Sequence, residues 1–227
     1  MIVETMTYEK IAKEFESILQ SYPFKFNNLD HTMINQVFDQ DTLASELILE
    51  PFILNLDENV TLYTIPYVED IQSYEDEEFD KVTFITYPTS KGLMAVSKHP
   101  VKDSNVEFYD FFHPEFLDMY AKRYLKDKAM TETEIIIDFF KRSFTFGTLH
   151  SFYSKECEGS YKFFGMHETG PCMGVCLPHN ICLYKAFAEN DFDMISAPEY
   201  DTMIQYFKAQ NNLNEEIPIN ELTKMLE

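Results

Sequence analysis

The segment around PHN, residues 178–180, constrains the fold more than any other stretch, because it predicts two β-strands joined by a three-residue loop. MGVCL precedes the loop and ICLYK follows it. With a loop of this length, Cys176 lies directly opposite Cys182. Side chains alternate between the two faces of a strand, so Cys172 shares a face with this pair. The sequence therefore predicts three thiols on one face of a hairpin.

The first interpretation of the thiols is that they belong to the hydrophobic core. Free cysteine is among the most buried residue types and packs as a small apolar side chain. The run IIIDFF, residues 135–140, is apolar almost all round and begins behind a capping box of Thr131 and Glu134. This pattern predicts a buried helix, and the face of the hairpin that carries the three cysteines is predicted to pack on it.

A zinc site is the second interpretation. Its candidate ligands are Cys157, Cys172, Cys176, Cys182 and His179. The spacings are Cys-x3-Cys and Cys-x5-Cys, in place of the paired Cys-x2-Cys of zinc knuckles. The spacing favours the core interpretation, and we predict neither a metal nor another cofactor.

A cysteine nucleophile is the third interpretation. It requires His150 or His167 to be brought to a thiol by the neighbouring strand. No helix start precedes the cysteines to lower a thiol pKa. The remaining histidines include His31 and His99, which stand alone in the sequence and are predicted to be exposed or locally bonded.

The charge of the chain restricts its partners. It has 39 acidic and 18 basic residues, for a net charge of -21. Such a charge repels phosphate backbones and anionic membrane surfaces. Nucleic acid is therefore an unfavourable partner, and we predict a protein partner, which the charge suggests is basic. The oligomeric state is not determined by the sequence.

The N-terminus and the hydropathy indicate the compartment. MIVETMTYEKIAKEF lacks a basic region followed by an apolar run, so it is not a signal peptide. No stretch reaches the ~18 apolar residues that a membrane span needs. We predict a cytoplasmic protein whose cysteines are reduced thiols.

The periodicity of the chain predicts an α+β fold with segregated helices and strands. The N-terminal part is predicted to be helical, with helices in 7–22 and 31–49, followed by a small hairpin or sheet in 60–101. An acidic loop is predicted between its strands at 69–80, and 102–112 reads as a junction.

The second half is predicted to contain two helices, a four-stranded antiparallel meander and C-terminal helices. Pro114 and Thr131 mark the starts of the two helices. The predicted domains are residues 1–105, an N-terminal α+β region that could pack with the rest as one domain, and 106–227, a two-helix domain with an antiparallel sheet.

Residues 108–188 combine a histidine at a helix start, an arginine later in that helix, a buried second helix and a meander. This order resembles the RelE/EndoU/colicin-type ribonuclease and toxin fold and its uncharacterised bacterial members. The resemblance implies that His113, Arg123 and Lys185 bind and cleave an RNA phosphodiester. Relatives carry two arginines in the first helix, and a hydroxyl residue where Ala186 follows Lys185 here. These departures indicate a degenerate member.

Three functions follow from these observations. The first is an acidic cytoplasmic protein that acts through protein–protein contacts on a degenerate nuclease-like fold. The second is an active ribonuclease-like enzyme that uses His113, Arg123 and Lys185. The third is an acidic decoy or immunity-type inhibitor that occupies the surface of a basic partner.

Overall fold

One continuous β-sheet organises the chain. The structure, a computed structural model, describes residues 2–24, 47–68, 80–100, 106–126, 129–143, 147–153, 161–167 and 170–187. Its strands are β1 (Leu47–Ile48), β2 (Phe52–Asn55), β3 (Thr61–Val68), β4 (Asp80–Thr89), β5 (Gly92–Pro100), β6 (Glu107–Phe112), β7 (Gly147–Tyr153), β8 (Tyr161–His167), β9 (Gly170–Leu177) and β10 (Ile181–Phe187). Its helices are α1 (Tyr8–Ser21), α2 (Pro114–Tyr120), which continues into a π-helical turn (Ala121–Leu125), and α3 (Glu132–Lys141).

The strand order is β1-β3-β4-β5-β6-β10-β9-β8-β7, and β2 also pairs with β3. All pairings are antiparallel except that of β6 with β10, which is parallel and places Tyr109 opposite Ile181 and Phe112 opposite Tyr184. The sheet is therefore mixed, and its two halves meet at the β6–β10 pair.

This topology shows that the predicted arrangement of a small sheet and a separate four-stranded meander is wrong. The strands of both halves belong to one sheet, because β6 lies between β5 and β10. Part of the predicted junction at 102–112 is in fact an internal strand of the sheet, since residues 107–112 form β6. A strand covered on both faces lacks the apolar–polar alternation by which strands are recognised.

The predicted helical N-terminal part is also wrong. Helix α1 is present as expected, but the next described residues form strands β1 and β2, ahead of β3, β4 and β5, which lie in the region 60–101 where strands were predicted. The helix predicted over 31–49 lies mostly outside the described residues, and its last part contains β1. The predicted C-terminal helices lie outside the described residues.

The predicted boundary at residues 105 and 106 remains a prediction. It lies next to residues 101–105, which the structure does not describe, and separates β5 from β6. These two strands pair along their length, from Ala95 opposite Phe112 to Pro100 opposite Glu107. Main-chain hydrogen bonds therefore cross the boundary.

Helices cover both faces of the sheet. We call the face beneath α2 and α3 the thiol face. Its core cluster includes Phe84, Phe112 and Tyr184 from the strands and Phe116 and Phe139 from the helices. The ring centroids of Phe112 and Tyr184 are 4.4 Å apart across the β6–β10 pair. Stacked aromatic rings thus reinforce the pairing that joins the two halves.

The opposite face, which we call the α1 face, is covered by α1. Ile11 and Phe15 of this helix are buried against strand residues that include Ile85, Val96 and Phe111. The helix predicted over 7–22 is present as α1, and its Ile18 and Leu19 also pack on this cluster. The helix is apolar only on one side because it covers the sheet from solvent.

The two signals predicted to begin helices, Pro114 and the Thr131–Glu134 capping box, are confirmed, and α1 has a cap of its own. The Thr7 hydroxyl accepts a hydrogen bond from the Lys10 N–H at the start of α1. Pro114 is the first residue of α2, behind the N-cap His113. The Thr131–Glu134 capping box is complete at α3. The Thr7 and Thr131 hydroxyls satisfy N–H groups that have no partner within the helix, whereas Pro114 has no N–H that needs a partner. None of the described helices is long and apolar enough to cross a membrane.

Gly174 in β9 is required by close packing. A Cβ atom at this position would lie 2.2 Å from the Leu183 carbonyl oxygen and 2.5 Å from the Phe163 ring. We expect Gly174→Ala to lower the free energy of unfolding by about 1–3 kcal/mol, the usual effect of overpacking a core. Urea denaturation measures the loss.

The matched control is Val175→Ala, which removes two methyl groups from the neighbouring, half-buried residue of the same strand. We expect a smaller loss for the control. A Gly174→Ala midpoint equal to that of the unmodified protein would contradict the close approach of β9 to β10.

Candidate functional site

His113 lies where β6 passes into α2. Its backbone N–H donates to the Tyr184 carbonyl of β10 at 3.4 Å, and its Nε2 lies 3.3 Å from the Tyr8 hydroxyl of α1. Burial, and next the nearby charge of Lys185, lower the pKa of His113. The imidazole is therefore neutral at pH 7, which leaves it able to accept a proton.

Lys185 lies near His113 because of an irregularity in β10. The register between β9 and β10 shifts between Tyr184 and Ala186, so Lys185 is the additional residue of a β-bulge. Its side chain is exposed while its neighbours are buried. Bulges commonly redirect a side chain in this way. The structure thus brings His113 and Lys185 into one neighbourhood.

Arg123, the third residue implied by the resemblance, lies in the π-helical turn after α2. Its Nη1 donates a hydrogen bond to the Phe187 carbonyl at the end of β10. This contact fastens the turn to the sheet. A guanidinium used in this way holds two elements together, which is a structural role for Arg123.

The cysteines line the core, as predicted. Cys172, Cys176 and Cys182 are all free and buried, and belong to one cluster with Phe139 and Phe140 of α3. Cys176 lies opposite Cys182, with their sulfurs 3.3 Å apart. The loop length therefore fixed the register correctly. Cys157 lies outside the described residues.

The protonation of the thiols also favours a core role. Burial raises the pKa of Cys172. The hydrogen bond with Cys176, burial and the nearby Asp110 carboxylate all raise the pKa of Cys182. Metals and electrophiles react with thiolates, and these two thiols are held protonated.

The structure describes the side chains of two histidines from the reactive interpretations, His179 and His167, and both have other partners. His179 is at the exposed tip of the hairpin, 3.3 Å from the Glu9 carboxylate. His167 is buried with its Nε2 3.0 Å from the Phe139 carbonyl and its ring stacked on Phe139. Within the described part of the chain, no group of three or more His, Cys, Asp or Glu residues is placed to hold a metal ion.

A partly buried ion pair between β5 and β6 was not predicted from the sequence. His99 Nδ1 lies 2.5 Å from Asp110 Oδ2, and the imidazole stacks on Phe108. Asp110 is 3% exposed. Burial opposes the charge of His99, but the hydrogen bond and charge of Asp110 outweigh it and raise the pKa of His99. The feature of the sequence that indicates this pair is Asp110, a carboxylate within the otherwise largely apolar run EFYDFF, residues 107–112.

A shallow groove between α2 and α3, above the start of β5, was also not predicted from the sequence. Its apolar walls are formed by Leu93, Pro114, Leu117, Ile135 and Ile136. Asp118 of α2 and Glu132 of α3 line it as well. We call this the α2–α3 groove.

Comparisons with known proteins give no family for this chain. No family model matches it, and neither a curated protein nor a solved structure matches. The resemblance to the ribonuclease and toxin fold therefore remains a prediction.

The His99–Asp110 pair predicts a pH dependence. Because the pKa of His99 is raised above its usual value of ~6.5, its stabilising effect is complete below that pH and is lost as the pH rises through the folded-state pKa. We expect the unmodified protein to lose this contribution to the free energy of unfolding between mildly acidic and alkaline pH. His99→Gln should not show that loss.

Urea denaturation over this pH range measures the effect. His179→Gln, at the exposed hairpin tip, is the control and should follow the unmodified protein. If the difference between the unmodified protein and His99→Gln is the same at every pH, the charged pair does not stabilise the fold.

Proposed function

We propose that this protein acts in the cytoplasm through contacts with a basic partner protein, and that it is a degenerate member of the ribonuclease and toxin fold. The observation that supports this proposal is the unequal distribution of acidic residues between the described residues and the rest of the chain. An inhibitor that occupies the basic surface of its target is one form of the same function.

The acidic excess is concentrated outside the described part of the chain. The described residues contain 15 acidic and 12 basic side chains, whereas the other residues contain 24 acidic and 6 basic ones. Most of the net charge of -21 thus belongs to segments such as 69–79 and 188–227. Concentrated charge attracts an opposite surface over longer distances than scattered, paired charge does.

The contact made by Arg123 supports the proposal that the chain is a degenerate member of the fold. Arg123 donates to the Phe187 carbonyl and so fastens the turn after α2. The resemblance implies instead that this guanidinium contacts phosphate oxygens. The free, buried thiols agree with a reducing compartment.

A fluorescently labelled peptide of ten lysines tests whether the acidic residues attract a basic partner. We expect binding to the full chain to weaken on the order of ten-fold when NaCl is raised from about 50 to about 500 mM, because exposed charges are screened beyond a few ångströms at the higher salt. Fluorescence anisotropy measures the affinity. Replacing Glu75, Asp76, Glu77 and Glu78 by their amides should weaken binding several-fold.

The control carries the same four-charge change at scattered positions, namely Glu9, Glu14, Glu50 and Glu58. Glu9 and Glu14 lie on α1, and Glu50 and Glu58 lie in the loops before and after β2, so their loss should weaken binding less than loss of the consecutive run. Binding that is insensitive to salt, or an equal effect of the two variants, would contradict the proposal.

A ribonuclease is the second candidate, and one observation favours it. His113 is neutral, lies beside the exposed Lys185 and contacts the Tyr8 hydroxyl. A neutral imidazole accepts a proton from an attacking 2′-hydroxyl, and an ammonium group stabilises phosphate charge.

Cleavage of a fluorogenic single-stranded RNA tests this candidate. If it is correct, His113→Gln should lower the rate on the order of a hundred-fold, the typical contribution of a general base. His179→Gln is the control and should leave the rate unchanged. Turnover that survives His113→Gln, or no turnover by the unmodified protein, would exclude this candidate.

A further inference from the structure

Cys176 and Cys182 face each other across the β9–β10 hairpin, near the end at which the chain turns. They are directly opposite in the register, and the Cys182 thiol donates a hydrogen bond to the Cys176 sulfur at 3.3 Å. We propose that this pair is an oxidation site, at which a peroxide converts the two thiols into a disulfide across the hairpin. The inference goes beyond the proposed function and does not depend on it.

The geometry of the hairpin permits this bond. Directly opposite residues of antiparallel strands have Cα atoms ~4.5–5.5 Å apart, within the ~4.4–6.8 Å that a disulfide spans. The sulfurs of a disulfide are ~2.0 Å apart, so the sulfurs of Cys176 and Cys182 have to approach each other by about 1.3 Å. Rotation of the two side chains provides such a movement, and the main-chain pairing of β9 with β10 stays intact.

The third thiol of the cluster is too far away to compete for this bond. Cys172 lies four residues before Cys176 on the same strand, which separates their Cα atoms by ~13 Å at the rise of a strand. Its neighbour on β10 is Phe187, five residues beyond Cys182. Both separations exceed the span of a disulfide. The structure therefore selects one pair from the three described cysteines.

The surroundings give the two sulfurs different roles. The hydrogen bond with Cys176, burial and the nearby Asp110 carboxylate raise the pKa of Cys182, so this thiol keeps its proton. A negative charge on Cys176 is stabilised by the hydrogen bond from Cys182 and interacts favourably with the imidazolium of His99. Peroxides react with the thiolate form of cysteine. Cys176 is therefore the attacking sulfur, and Cys182 is the sulfur that resolves the intermediate.

The reaction balances with hydrogen peroxide as the oxidant. The Cys176 thiolate attacks one peroxide oxygen and the O–O bond breaks. The second oxygen leaves as water with the proton that the Cys176 thiol has lost, and Cys176 becomes a sulfenic acid. The Cys182 sulfur then attacks the Cys176 sulfur, the S–OH bond breaks, and the hydroxyl leaves as a second water with the Cys182 proton. Two thiols and one peroxide become one disulfide and two waters.

Opening of the hairpin end gives the peroxide access to the buried thiols. One residue pair, Leu177 with Ile181, separates them from the exposed loop 178–180. On the other side of the cluster, the side chain of His99 is 32% exposed. Local opening at the ends of elements needs less free energy than global unfolding. We therefore expect oxidation in excess peroxide, at a slower rate than that of an exposed thiolate.

Peptide mapping of the unmodified full chain tests the pair. The reduced protein is treated with excess hydrogen peroxide under native conditions, and the remaining thiols are labelled with N-ethylmaleimide in urea. Trypsin then releases residues 163–185 as one peptide that contains Cys172, Cys176 and Cys182. We expect most of this peptide to carry a single maleimide, on Cys172, and to have lost two hydrogens. Dithiothreitol should restore labelling of all three thiols.

Two results of the mapping would overturn the inference. One is a peptide that still carries three maleimides after peroxide treatment, which would mean that the pair is not oxidised. The other is a disulfide that includes Cys172 or Cys157. The mapping needs no substitution, so it decides the matter even if a variant fails to fold.

Variants test the roles of the two sulfurs. In Cys182→Ala the sulfenic acid of Cys176 has no resolving thiol, so dimedone, which reacts with sulfenic acids, should label it. We expect several-fold less dimedone on Cys182 in Cys176→Ala. Cys172→Ala is the matched control and should form the disulfide as the unmodified protein does, with circular dichroism to confirm that each variant is folded. Equal labelling of the first two variants would contradict the assignment of Cys176 as the attacking sulfur.

Discussion

The parallel pairing of β6 with β10 is the contact on which the rest of the fold depends. It joins strands β1–β5 to strands β7–β9 and creates the surface on which α2 and α3 lie. Alternate residues of β6 point to different layers, with Phe111 on the α1 face and Phe112 on the thiol face. Both layers are therefore assembled around one strand, and substitutions there affect the whole molecule.

The same strand introduces the least favourable group in the sheet. Asp110 is buried among apolar residues, and a buried carboxylate is costly unless it is paired. His99 provides the partner from β5. The pair is aligned with the thiols, since Asp110 lies opposite Cys182, which lies opposite Cys176. The buried charge accounts in part for the protonated state of the Cys182 thiol.

Local features were predictable from the sequence, and long-range ones were not. The three-residue loop set the register of Cys176 against Cys182, and Thr131 with Glu134 marked the start of α3, because each depends on residues a few positions apart. The apolar run of β6 has no alternation that identifies a strand. Its parallel partner is remote in sequence, and the His99–Asp110 pair and the α2–α3 groove exist only once β5, β6 and the helices are assembled.

The parallel pair also has a consequence for how the chain folds. Hairpins such as β4–β5 and β9–β10 close short loops, whereas pairing Tyr109 with Ile181 must enclose all the residues between them. The entropy of closing a loop rises with its length, and such contacts slow folding. We therefore expect the hairpins to form early and the joining of β6 to β10 to limit the folding rate. Until that step the rings of Phe112 and Tyr184 do not cover each other, and apolar surface exposed in this way favours aggregation.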